Sequence, residues 1–121
     1  CKTTTNNTQV QHITALHTKT NIQFSIPMDL AGNYQILNLP GVLKVCELLV
    51  EMGFTISNSN IINALSRVQS LTGLMGRWQC ISKSPLTIAD TAHNRDGVIQ
   101  VLNQLQLLNP TSVHMVLNSQ M

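Results

Sequence analysis

LTIADTAHNRDGVIQVLNQLQLLNPTSVHMVL, residues 86–117, is the stretch whose reading decides the fold. LTIAD predicts a strand over 86–90. Asn94 suits an N-cap, and Asp96 falls in the first helical turn, where the dipole favours an acid. Val98, Val101, Leu102, Leu105 and Leu108 then recur at i, i+3, i+4, i+7 and i+10, one face of a helix. NPTS is the next turn, and VHMVL, 113–117, predicts a second strand. Strand, helix and strand in about thirty residues make a βαβ unit, which implies a parallel pair and a right-handed crossover.

Upstream, WQCISKS (78–84) predicts another strand, with Pro85 as a bend, so this end of the chain reads as β-β-α-β. LTGLMGR carries two glycines and breaks the pattern, which places a boundary near Leu74. FTISNSNIINALSRVQSL predicts a helix with Ser57 as N-cap. LPGVLKVCELLVEMG predicts another, ended by Gly53. Because Pro40 is tolerated only in a first turn, that helix is expected to start near Asn38. Lys44, Glu47 and Glu51 form one narrow polar stripe on an otherwise apolar cylinder. The helix is therefore expected to be mostly buried, with Cys46 a core thiol. VQHITALHTKTNIQFSIP predicts a β-hairpin, with HTKTN as its turn and Ile22, Phe24 and Ile26 alternating with polar residues. The polar residues 1–8 are expected to be poorly ordered.

Composition narrows the function classes. The 121 residues are 43% hydrophobic and 10% charged, with a formal net charge of +2, enough for one ordinary domain or pieces of two. The cations are scattered and the aromatics few, which argues against a nucleic-acid partner. No apolar run approaches the about 20 residues of a membrane span. Cys1, Cys46 and Cys80 are odd in number, with no C-x-x-C, so a disulfide framework or zinc site is not expected and a reducing cytoplasm is. The carboxylates Asp29, Glu47, Glu51, Asp90 and Asp96 are too dispersed for a metal cage or an acid/base pair. His12, His17 and His114 stand on predicted strands without partners and read as structural.

The chemistry concentrates at Asp90, His93 and Asn94, between a strand end and a helix start. In open α/β sheets ligands bind beyond the carboxyl ends of strands, and a helix N-terminus attracts phosphate. A carboxylate there can accept ribose hydroxyls, and an imidazole can meet phosphate oxygens. The competing reading is a turn aspartate and a structural histidine beside a cap. Neither G-x-x-x-x-G-K-[ST] nor G-x-G-x-x-G occurs, so the chain has no phosphate-cradling loop of its own.

DLAGNYQILN (29–38) followed by GLMGRWQCISKSPLTIADTAHN (73–94) resembles the bifunctional dihydrofolate synthase/folylpolyglutamate synthase family of the Mur ligase superfamily. The family pattern is L-x-G-x-(Y/H)-Q-x-x-N, a helical stretch, G-R-(F/L/W)-(E/Q), and P-x-(I/V)-x-D-x-A-H-N. Its pieces occur here in order, over about residues 26–117, with one departure: Leu86 and Thr87 separate Pro85 from Ile88 where the pattern has a single residue. The resemblance implies an α/β fragment of a Mur-ligase-type fold: a β-hairpin plus two helices, then a partial Rossmann-like β-β-α-β unit. Residues 1–74 would end the central ATP-binding domain, and 75–121 would begin the C-terminal domain.

It also implies an ATP-dependent ligase that joins L-glutamate to dihydropteroate or a folate through an acyl phosphate, with ATP and Mg2+ as cofactors and the metal ligands outside this segment. By motif position, Asn38 and Arg77 match residues that reach the nucleotide and its phosphates. Asp90 matches the aspartate that binds at the ribose, and His93 the histidine near the phosphates. Without the pattern, Asn38 reads as an N-cap and Arg77 as an exposed linker charge. Arg95 stands where many members have proline, Pro40 interrupts a usually continuous helix, and VLNSQM lacks the glycine-rich continuation. The P-loop would lie upstream, so the isolated chain is expected to be inactive. A Mur ligase of peptidoglycan synthesis and a non-catalytic α/β module are the alternatives.

Overall fold

A computed structural model describes residues 2–4, 10–17 and 21–118. The fold is mixed α/β. In chain order the elements are β1 (Lys2–Thr4), β2 (Gln11–His17), β3 (Ile22–Met28), α1 (Gln35–Glu51), α2 (Asn58–Leu65), α3 (Val68–Thr72), β4 (Gln79–Lys83), β5 (Leu86–Ala89) and α4 (Arg95–Leu107). β1, β2 and β3 form an antiparallel sheet in that order, and β4 and β5 form a separate antiparallel pair. No helix among the described residues is long and apolar enough to cross a membrane.

The β2–β3 hairpin forms as its alternation predicts. Ile13 pairs with Ile26, Ala15 with Phe24 and Gln11 with Met28. Because side chains alternate across a strand, these residues share one face. Ile13, Ala15, Ile26 and Met28 are buried there with Leu30, Leu39 and Leu65. Ile36 and Leu43 of α1 and Ile61 of α2 pack against that cluster. Most of HTKTN, residues 18–20, lies outside the described residues, as do Cys1, 5–9 and 119–121. Residues 2–4, within the stretch expected to be poorly ordered, pair with Thr14, Ile13 and His12 as an edge strand.

α1 departs from expectation at both ends of the argument. It starts at Gln35, not near Asn38, through a tight opening turn in which Gln35, Ile36 and Leu37 N–H groups donate to the Gly32, Asn33 and Tyr34 carbonyls. Pro40 therefore sits inside the helix, and Asn38 is an interior residue rather than a cap. Only Gln35 and Leu39 are buried on α1; Val42, Val45, Leu48 and Val50 are exposed and Cys46 is half-buried. The sheet covers one side of a cylinder that is apolar almost all round, so the remaining apolar surface faces outward. Gly53, at φ +97°, ends α1: its N–H donates to Val50 and that of Phe54 to Leu49, closing the last carbonyls.

Ser57 caps α2 as predicted, in a reciprocal pair with Asn60. The single helix expected after it breaks at Ser66–Arg67, because the Asp29 carboxylate accepts the Val68 and Gln69 N–H groups, each at 2.9 Å. That long-range cap starts α3 as a new helix.

The βαβ reading fails. β4 and β5 form as two strands joined at Ser84 and Pro85, but β5 has β4 as its antiparallel neighbour and no parallel partner among the described residues. Residues 113–117 form no strand, and Val116 is 96% exposed. An extended segment needs a neighbouring strand for its N–H and C=O groups, and none among the described residues pairs with it. The C-terminal part is thus β-β-α. His114, expected on that strand, is exposed in the unpaired segment, and His12 is exposed on β2.

Candidate functional site

The loop Asp29–Tyr34, between β3 and α1, joins the two ends of the chain. The Leu30 and Gly32 carbonyls accept the Gln11 side-chain amide from β2, at 2.6 and 3.1 Å. A Cβ on Gly32 would lie 2.5 Å from the Tyr34 ring, so only glycine lets that ring fold back over the loop. The Tyr34 hydroxyl then donates to Asp90 Oδ2 at 2.6 Å. Burial first, then the hydrogen bond and the charge of Asp90, hold the Tyr34 phenol well above the usual tyrosine range; the Arg77 charge pulls it partly back.

Asp90 lies one residue beyond β5 and organises the turn into α4. Its Oδ2 also accepts the Trp78 N–H at 2.8 Å, and its Oδ1 accepts the Ala92 N–H at 2.9 Å. A carboxylate offers about four acceptor positions, so three donors leave roughly one on Oδ1. His93 turns its Nδ1 to the Thr91 carbonyl at 3.0 Å. That carbonyl only accepts, so Nδ1 carries the proton; Nε2 is an acceptor in the neutral ring and a donor in the cation. Asn94 caps α4 by accepting the Gly97 N–H at 2.8 Å, and Asp96 stands in the first turn, both as predicted.

Arg77 is positioned by Gly76. That glycine has φ +68°, and a Cβ on it would lie 2.5 Å from the Thr91 methyl. Its carbonyl accepts the Thr91 N–H at 2.8 Å, tying the linker to the turn that holds His93. Asn38, on α1, donates to Gln35 Oε1 at 2.9 Å and is exposed.

Asn38, Arg77, Asp90 and His93 line one open cleft of about 530 Å³, between the start of α1 and the start of α4. Leu30, Leu37 and Leu74 give it an apolar wall. The volume suits a small organic ligand, and the arrangement places an apolar wall beside a polar end. Among the described residues no three His, Cys, Asp or Glu side chains come together.

Comparison of the chain with protein-family models, with curated proteins and with solved structures finds no match.

Reading the residues singly missed several that build the cleft. Tyr34 carried no assigned role, although it stands in the same motif as Asn38. Trp78 is buried at φ +54°, a conformation no side-chain pattern announces. Gln104, buried on α4, did leave a signal: it falls between Val101 and Leu108 at i+3 and i−4, a polar residue on an apolar line.

Proposed function

We propose that the cleft binds ATP and that the chain is part of a Mur-ligase-type enzyme, an ATP-dependent ligase that joins L-glutamate to dihydropteroate or tetrahydrofolate in the cytoplasm. The observation that carries this reading is the convergence of Asn38, Arg77 and the turn that holds Asp90 and His93 on one cleft. Asn38 and Arg77 were named from motif position alone, Asp90 and His93 also from their place between a strand end and a helix start. The boundary near Leu74 then separates a central domain that contributes Asn38 from a C-terminal domain that contributes the other three.

The chemistry is consistent with that ligand. Arg77 brings a permanent charge and a fixed fork of donors for phosphate oxygens. The N-terminus of α4, with Asn94 and Gly97 in the cleft wall, adds its dipole and N–H groups. His93 presents Nε2 beside them. The apolar wall suits a planar base. Asp90 takes a different part from the one its motif position suggests. With three protein donors already on its carboxylate, it holds Tyr34 and Trp78 in place and has about one acceptor position left for a ribose hydroxyl. In the reaction, ATP would phosphorylate the folate carboxylate, a poor electrophile, and the glutamate amine would displace that phosphate. The residues of this chain serve that sequence by binding and orienting the nucleotide.

The test is a titration of the chain with Mg·ATP, followed by the resonances of Arg77, His93 and Asn38. Saturable shifts are expected at all three, weakened about tenfold in Arg77→Ala, the scale of one lost charge-assisted contact. Absence of ATP-dependent shifts in the wild type would reject the reading. Equal binding by Arg77→Ala would reject the assignment of Arg77.

A further inference from the structure

Gln104 does not line the cleft, yet it is among the best buried polar residues, 8% exposed. Its Oε1 accepts the Asn33 N–H at 2.7 Å and its Nε2 donates to the Ala31 carbonyl at 2.9 Å. A side-chain amide that meets one N–H and one C=O of the same segment imitates the pairing of two peptide groups, and so fixes position in two directions. The segment it grips is the loop whose other carbonyls Gln11 holds. The residue after Asn33 is Tyr34, whose hydroxyl reaches Asp90, and Asp90 leads back through His93 to α4. The contacts close a ring: α4, Gln104, the 31–33 loop, Tyr34, Asp90, α4.

We infer that Gln104 is a positioning residue for the cleft: by clamping α4 to the 31–33 loop it sets the Tyr34–Asp90 contact, and with it the distance from the Asn38 wall to the Arg77 and His93 wall. The inference rests on the ATP reading for its ligand measurement only. A buried glutamine that merely satisfied the loop would leave Tyr34 and the ligand indifferent to its replacement.

Two variants separate these cases. Gln104→Met keeps the length and removes both hydrogen bonds. Gln104→Glu keeps an acceptor for Asn33 but turns a second oxygen to the Ala31 carbonyl, repelling it when ionised and donating to it when protonated. Tyr34 is the only tyrosine in the chain, so tyrosinate absorbance reports its contact with Asp90. In Gln104→Met the ionisation midpoint is expected to fall by about one pH unit towards the ordinary value of about 10, with far-ultraviolet circular dichroism unchanged. Mg·ATP affinity should fall about tenfold in the same variant. Gln104→Glu should bind weakly at pH 7.5 and return to within about twofold of wild type at pH 5, each value taken relative to the wild type at the same pH.

An unchanged Tyr34 midpoint in Gln104→Met overturns the inference, as does unchanged ATP affinity in a wild type that binds. If the wild type binds no ATP, the proposed function fails and the Tyr34 midpoint alone decides for Gln104. If Gln104→Met does not fold, the Trp78 amide resonance of Gln104→Glu decides, since that N–H donates to Asp90. It should move to the wild-type position between pH 7.5 and 5; a resonance that stays displaced overturns the inference.

Discussion

From Gln11 to Leu65 the molecule is held by apolar burial, whereas from Gly76 to Leu108 it is held by directed hydrogen bonds. The first region contains the buried cluster of Ile13, Ala15, Ile26, Met28, Leu30, Leu39 and Leu65. In the second, Trp78 is the buried large hydrophobic residue, and the joints are the Asp90 carboxylate, the Gly76–Thr91 pair and the Gln104 amide. Burial is non-directional and sums over many atoms, so it sets whether a region is folded. Hydrogen bonds fix direction, so they set where the cleft walls stand relative to one another. The cleft lies where the two regimes meet, with Asn38 on the packed side and Arg77 and His93 on the pinned side.

The comparison breaks most visibly in the packed region. Ile26→Ala empties a fully buried position and is expected to lower unfolding stability by about 2–5 kcal/mol, read by denaturant titration. A loss near zero would mean that the apolar cluster does not hold the hairpin. Asp90→Ala should cost less overall, about 2 kcal/mol, because the orphaned Tyr34, Trp78 and Ala92 donors are only partly shielded from water. Its effect should also be local. Amide exchange is expected to rise at Trp78 and Ala92 and to stay slow at Ile13 and Ile26, and a uniform rise would erase the distinction between the regions. The smallest effect belongs to Ser57→Ala, about 1 kcal/mol by thermal melt, since that cap starts an exposed helix end. Together with the measurements on Arg77 and Gln104, these run from the core outward to the cleft wall.

Local patterns were legible wherever the nearest neighbours in sequence decide the outcome. The Ser57 and Asn94 caps, the Gly53 stop, the β2–β3 alternation and the start of α4 all follow from contacts within a few residues. The face α4 buries, by contrast, does not match its apolar line: Leu102 and Leu108 are exposed and Gln104 is buried. What eluded the sequence depended on distant partners. Asp29 cuts one expected helix into α2 and α3 by capping residues far along the chain. The apolar length of α1 announced burial, yet burial requires a surface on the other side, and the three-stranded sheet covers only one face. Residues 113–117 carry strand-forming side chains and have no strand partner among the described residues, and a strand exists only through its neighbour.

The same division holds for the site. Sequence by itself determined the turn chemistry at Asp90–Asn94, the helix that follows, and the four residues that a motif resemblance singled out. Only the tertiary structure decided that those four share one cleft, that Asp90 spends most of its acceptors on Tyr34, Trp78 and Ala92, and that Gln104 clamps the opposite wall. Caps, turns and periodicity are set by short-range sterics and hydrogen bonding. Which donor meets which acceptor across the molecule is set by packing, and packing is a property of the whole chain.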